Sequence, residues 1–271
     1  MLAARAVTAA ILLAACVAAL FLLPNLWWSA ALLAVLLLAA WEWGALAGYG
    51  PRARWLLCGV VLAGAIALYW AAASAVAIFA GGGLEQVVYA AGAAFWVLIA
   101  PGWLRFRWQP RGRLLMGAAG LVVLLPAWLA LARLQADPAA LLQILGVIWV
   151  ADTAAYAVGR RWGRHKLAPT ISPGKTWEGV GGAAAAVAVY YGLLSASGWA
   201  SSWAHGWSGG LLVACVAAIS IVGDLLESWV KRRAGVKDSG ALLPGHGGIL
   251  DRIDGVMAGM PIAALFLKYG S

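Results

Sequence analysis

Residues 209–233 read GGLLVACVAAISIVGDLLESWVKRR. From Gly209 to Gly223 the run is apolar or small; Asp224, Glu227, Ser228 and Lys231 then follow at i, i+3, i+4 and i+7. Helical periodicity places those four side chains on one stripe. A bilayer is crossed by about 20 mostly apolar residues. The stretch therefore reads as a membrane helix that turns polar along one side just before its basic end, Lys231-Arg232-Arg233. An ionisable group inside a bilayer is costly and is a functional candidate by default. The segment points to a chain built of membrane helices with chemistry gathered at their basic ends.

The whole chain has the same cast. Of its 271 residues, 64% are hydrophobic and 11% are charged, against about 45–50% and about 25% in soluble domains. A soluble domain of this length exposes too much of its chain to hide such a surface. The composition excludes a soluble globular enzyme, a disordered chain and a disulfide scaffold. Cys16, Cys58 and Cys215 all sit in apolar runs, which reads as packing and not as a metal cluster or disulfide framework. The apolar run after Arg5 is followed at once by Pro24-Asn25 and a second apolar stretch, so it reads as a first span and not as a cleaved leader.

Nine stretches are long enough to span: about 6–23, 26–46, 55–79, 87–104, 114–134, 141–158, 180–199, 209–228 and 251–269. The last needs a helix that starts near Asp251. The connections alternate. One set, with Arg5, holds 17 of the 19 Lys and Arg residues; the other holds none, and only Arg133 and Lys268 lie elsewhere, near span ends. Short basic loops stay in the cytoplasm, which predicts a cytoplasmic N-terminus and an all-α integral membrane protein of about nine transmembrane helices. Many of the 17 Trp fall near span ends, as in an interfacial belt.

The ten acids divide unevenly. Seven lie between Asp152 and Asp254. Residues 1–140 thus read as a membrane scaffold and 141–271 as a catalytic membrane region, within one continuous fold. Glu42, late in the second span, reads as an interface residue, and Glu85 and Asp137 as solvated groups of outer loops. Asp152 shares a helix face with Tyr156 and Arg160, at i, i+4 and i+8, and reads either as an Asp–Arg tie or as the wall of a polar cavity. In Ser172-Pro173-Gly174-Lys175-Thr176-Trp177-Glu178-Gly179 the Gly-Lys-Thr triplet is not a P-loop, because its first glycine would fall on Pro169 and no strand is expected before it. The segment still offers phosphate-friendly donors just before a helix N-terminus.

Asp251 and Asp254 stand at i, i+3 on the first turn of the last span, where the helix dipole favours carboxylates. With Asp224 they make a hard oxygen set of the kind Mg²⁺ uses while it also holds phosphates. His246 lies among glycines that let the backbone turn tightly. It reads as a hydrogen-bonding or loop-shaping group.

From Ser228 to Asp254 the chain resembles the signature of phosphatidate cytidylyltransferases, also called CDP-diacylglycerol synthases. The matching residues are Ser228, Val230-Lys231-Arg232, Lys237-Asp238, Gly240, Leu243-Pro244, His246-Gly247-Gly248-Ile249 and Asp251-Arg252-Ile253-Asp254, with no departure. Asp152, the segment Ser172 to Gly179, and Gly223-Asp224 with Glu227-Ser228 also look like family features; the first five spans match only in character.

The resemblance implies a Mg²⁺-dependent reaction, with another divalent or a monovalent cation as alternative. CTP and phosphatidic acid give CDP-diacylglycerol and pyrophosphate at the cytoplasmic face. It implies an enzyme of phospholipid biosynthesis in a bacterial inner membrane. Residues and resemblance together give Asp224, Asp251, Lys237, Arg252 and His246 as catalytic. They give Ser172, Lys175, Thr176, Glu178, Ser228, Lys231, Arg232, Asp238, Gly247, Gly248 and Asp152 as substrate-binding, and Asp224, Asp251, Asp254 and Glu227 as metal ligands. CTP, phosphatidic acid and membrane lipids are the expected partners, nucleic acid is not, and small residues in spans seven and eight permit a homodimer. A CTP-dependent lipid kinase, a cytidylyltransferase for another lipid phosphate and a cation-coupled transporter are the competing readings.

Overall fold

A computed structural model describes residues 13–73, 83–110, 112–242 and 247–269. Helix α1 is seen over Leu13–Leu22. It is followed by α2 (Asn25–Leu46), α3 (Pro51–Ala73) and α4 (Leu84–Ala94). A π turn at Phe95–Ile99 joins α4 to α5 (Ala100–Arg105). Pro101 has no backbone N–H to donate back into this turn, which widens the local helical register there. Then come α6 (Arg113–Leu134), α7 (Pro138–Trp162), strands β1 (Lys166–Ala168) and β2 (Ser172–Thr176), α8 (Trp177–Ala196), α9 (Gly206–Arg233) and α10 (Leu250–Tyr269).

The architecture is that of an all-α integral membrane protein. Among the described residues seven helical segments are long and apolar enough to cross a membrane: α2, α3, α4 with α5, α6, α7, α8 and α9. The expected count was nine. The first predicted span is described only from Leu13. The last forms α10 as anticipated, but Asp251, Arg252 and Asp254 in its opening turns dilute its apolar character.

One element was not anticipated. Between α7 and α8 the chain forms a two-stranded antiparallel hairpin, Lys166 opposite Thr176 and Ala168 opposite Ser172. A strand does therefore precede Gly174-Lys175-Thr176, although Lys175 lies inside the second strand and not on a phosphate-wrapping turn.

Polar contacts join the helices near both ends. At the basic end Tyr49 donates to the carbonyl of Arg113 (2.8 Å), Trp229 to that of Trp108 (3.1 Å) and Arg232 to that of Ile171 (3.4 Å). At the other end Asn25 donates to Ala132 (2.7 Å), Gln135 to Leu23 (2.8 Å) and Gln143 to Trp199 (2.7 Å).

The three acids outside the C-terminal group are engaged. Glu85 pairs with Arg133 at 2.8 Å, and Asp137 caps α7 by accepting from the amide of Ala140 at 2.9 Å. Neither is merely solvated, because each meets an unpaired donor close at hand. Glu42 is not an interface residue: it is only 6% exposed, since its carboxylate turns inward to unpaired amides near the start of α10.

The crossing that matters most is α9 against α10. A Cβ on Gly223 would come within 2.5 Å of the carbonyl of Asp254 and 2.8 Å of the Ala258 side chain. Only glycine lets the backbones approach this closely. That approach sets Asp224, the next residue of α9, beside Asp254 of α10. Helix α10 packs also on α6, α4 and α2, so the C-terminal helix is wedged into the N-terminal helices.

Candidate active site

A cavity of about 630 Å³ opens among α7, the hairpin, α8, α9 and α10. Helix α7 contributes Asp152, Tyr156 and Arg160 from the one face predicted by their spacing. The hairpin contributes Lys166, Ser172, Gly174, Lys175 and Thr176. Helix α9 contributes Asp224, and α10 contributes Asp251 and Asp254. Four acids and three bases thus face one volume, with Ala155, Val180 and Ile221 as its apolar lining.

Two of the cations have partners within the cavity wall. Lys175 Nζ lies 2.6 Å from Asp224 Oδ2. Ser228, one turn further along α9, donates to Asp224 Oδ1 at 3.3 Å. Arg160 donates to the Tyr156 hydroxyl at 2.6 Å. The Asp–Arg tie considered for Asp152 is thus not what Arg160 makes; Tyr156 lies between them on the same face and meets the guanidinium first.

Beneath the cavity is a second layer. Lys231 Nζ sits 2.5 Å from Glu227 Oε2 and 2.5 Å from Asp251 Oδ1. All three side chains are nearly sealed from solvent. The other oxygen of Asp251, Oδ2, accepts from the amide of Ser239 (2.9 Å), its hydroxyl (3.0 Å) and the amide of Gly248 (2.8 Å). Asp251 is the most tightly held carboxylate of the group. Asp254 is engaged with the neighbouring amide of Gly255 at 2.8 Å.

The hairpin that carries Lys175 is anchored at both ends. Glu178 accepts from the His165 amide (3.1 Å) and faces its ring Nδ1 at 2.6 Å. Thr176 caps α8 by accepting from the amide of Gly179 at 3.1 Å.

Of the residues singled out in the sequence, Asp152, Ser172, Lys175, Thr176, Asp224, Asp251 and Asp254 line the cavity. Glu178, Glu227, Ser228, Lys231 and Gly248 stand behind it, bonded to other side chains or to backbone. Lys237, Asp238, Arg232 and Arg252 are exposed and away from the lining. Gly247 takes a left-handed conformation (φ +83°), which its lack of a Cβ permits. His246 lies outside the described residues.

Lys166 and Ser239 were not singled out, and Glu42 was read only as an interface residue. Lys166 was hidden among other basic residues of one long loop, and the contacts of Glu42 cross some two hundred residues of sequence. Among the described residues no group of three or more His, Cys, Asp or Glu side chains is placed to hold a metal ion unaided.

Fold and site define a class: an all-helical integral membrane protein that gathers acids and bases into one cavity at the basic end of its helices. The chain belongs to the cytidylyltransferase family, whose model matches residues 3–270. It is 39% identical to a phosphatidate cytidylyltransferase of Pseudomonas aeruginosa, over 98% of this chain and 97% of the relative. It is 34% identical to that of Haemophilus influenzae, over 98% of both chains. A phosphatidate cytidylyltransferase of Brucella suis is 52% identical over a shorter stretch, 45% of this chain and 44% of the relative.

Proposed function

We propose that this chain is a phosphatidate cytidylyltransferase, transferring the cytidylyl group of CTP to phosphatidic acid to give CDP-diacylglycerol and pyrophosphate. The observation that carries the reading is the cavity itself, where Lys166, Lys175 and Arg160 face Asp152, Asp224, Asp251 and Asp254. Cations alone would serve any anion. Cations interleaved with carboxylates suit a polyphosphate that arrives with a divalent ion. The names of the long-range relatives agree with this substrate pair.

A phosphate oxygen of phosphatidic acid attacks the α-phosphorus of CTP. The new P–O bond forms as the bond to the β-phosphate breaks, and pyrophosphate leaves with the electron pair. The nucleophile is already ionised near neutral pH, so the residues need not remove a proton from it. Their task is to bring two polyanions together, which is the main work in phosphoryl transfer. Lys175 leaves Asp224 to meet a phosphate, with Lys166 and Arg160 on the same wall as further phosphate partners. Tyr156 steers Arg160. The hairpin, fixed by Glu178 and Thr176, sets the height of Lys175 in the cavity.

The donor set fits Mg²⁺. Asp224 and Asp254 are hard oxygen donors on adjoining helices, and Mg²⁺ is commonly bound by one or two carboxylates plus substrate phosphates. When bound there, Mg²⁺ neutralises charge on the phosphates and on the leaving pyrophosphate. Asp251 and Glu227, tied to Lys231, border that site and hold the last helix in position.

The reading places nine spans in a bacterial inner membrane, with the N-terminus and the cavity on the cytoplasmic side. The loop charges support it. The basic face attracts anionic headgroups.

Purified protein with phosphatidic acid and labelled CTP tests the proposal. Label from the α-phosphate is expected in the lipid product, and none from the γ-phosphate. Chelation of divalent cations is expected to stop the reaction and Mg²⁺ to restore it. Transfer of the γ-label would make the protein a lipid kinase, and ion flux into liposomes without CTP turnover would make it a transporter.

A further inference from the structure

Glu42 belongs to α2, far in sequence from the Ser228–Asp254 signature, yet its carboxylate reaches the loop and helix start that hold Asp251. Its Oε1 accepts from the amide of Ile249 at 3.0 Å, and its Oε2 from the amide of Leu250 at 3.0 Å. Leu250 is the first residue of α10. The first N–H groups of a helix have no partner within it, and the usual remedy is a nearby Ser, Thr, Asp or Asn. Here the cap comes from another helix, 208 residues away in sequence.

Glu42 Oε2 also lies 2.8 Å from the Ser239 hydroxyl, which is 3.0 Å from Asp251 Oδ2. That hydroxyl has one proton and donates to one carboxylate at a time. Glu42 and Asp251 therefore share a single serine. Two like charges so near each other are tolerable because the amides of Ser239, Gly248, Ile249 and Leu250 and the Lys231 ammonium all converge on them, at a helix N-terminus that favours negative charge. The surrounding chain is cut to fit. A Cβ on Gly240 or on Gly248 would collide with the Glu42 carboxylate.

We propose that Glu42 is a positioning residue for the reaction: through Ser239 and the α10 amides it fixes the place of Asp251, and with it the Lys231 ammonium, beneath the cavity. The inference rests on the cytidylyltransferase reading. It makes the N-terminal helices part of the active site's support.

Full-length Glu42→Gln and Ser239→Ala variants and their double, in detergent, test it by CDP-diacylglycerol formation with kcat and KM for CTP. Glutamine presents an NH2 group to donors that need an acceptor. Loss of a supporting hydrogen-bond partner of this kind typically costs about 10- to 100-fold. We expect a fall of about that size in kcat, with KM for CTP changed by less than about 3-fold. If Glu42 acts through Ser239, the double variant is no worse than the poorer single one. Glu85→Gln, which breaks a pair at the far end, should keep wild-type kcat.

Unchanged kcat in folded Glu42→Gln, or losses that simply multiply in the double variant, would overturn the proposal. So would wild-type kcat in Ser239→Ala, which keeps the Glu42 cap and serves if Glu42→Gln does not fold. An inactive wild type would instead count against the function itself.

Discussion

Lys231 is the residue on which the buried layer turns. It stands between Glu227 and Asp251 at 2.5 Å from each, with its side chain only 11% exposed. Removing one partner of a buried ion pair costs about 3–5 kcal/mol, because the remaining charge is left without compensation. Lys231→Met is expected to lower the thermal stability of the purified protein by about that amount. Adding Glu227→Gln should recover part of the loss, since it removes one of the two facing charges. Equal melting of Lys231→Met and wild type would show that the triad is not a stability element. Asp251→Asn should abolish CDP-diacylglycerol formation while the protein remains in the membrane. Asparagine turns a donor toward either Lys231 or the Ser239 and Gly248 amides. Activity near that of wild type would remove Asp251 from the site.

At this scale the sequence was partly legible. Asp224, Asp251 and Asp254 stand out because charges in apolar helices are rare, and their spacing on helices needs no tertiary knowledge. Glu42 looked like an ordinary residue at the membrane edge. Its meaning depends on which chain segment arrives opposite it, and no local periodicity records that.

Among the elements, the β1–β2 hairpin governs Lys175. Thr176 ends the second strand and begins α8, and its hydroxyl is spent on the Gly179 amide. It lines the cavity, but its bond is structural. Thr176→Ala removes a helix cap, which costs about 1 kcal/mol. It should raise KM for CTP by loosening the adjacent Lys175, while Thr176→Ser restores both stability and KM. A Ser variant as impaired as the Ala variant would mean that the methyl group, packed near Gly163, matters more than the cap. The hairpin escaped the sequence reading for a physical reason. Its strands are short and contain Pro173 and Gly174, residues that strands avoid. The long helices were easy to see because a bilayer demands about 20 apolar residues in a row, a purely local signal.

Over the whole molecule, loop charge assigns the two ends of the bundle to opposite sides of the membrane, an orientation that labelling can test. Gly50 and Gly198 are exposed and have open space around the position of a Cβ. Each therefore accepts a reporter cysteine in a background freed of Cys16, Cys58 and Cys215. A membrane-impermeant thiol reagent should label Gly198→Cys in cells with a breached outer membrane. It should reach Gly50→Cys only after the inner membrane is opened. The reverse pattern would place the cavity on the wrong side for CTP. In the sequence this expectation rests on loop charge alone. The sequence did not carry the wedge of α10 against α2, α4 and α6, because helix neighbours follow from packing and not from order along the chain.

The cap that Glu42 places on α10 also has a consequence for how the protein is made. Helix α2 enters the membrane long before residues 239–250 are synthesised. Until then its carboxylate has none of the amides that later surround it, and α10 has no cap. Closing so long a span of chain is entropically slow and comes late. The support that Glu42 gives to Asp251 can therefore form only once the chain has been made through Leu250.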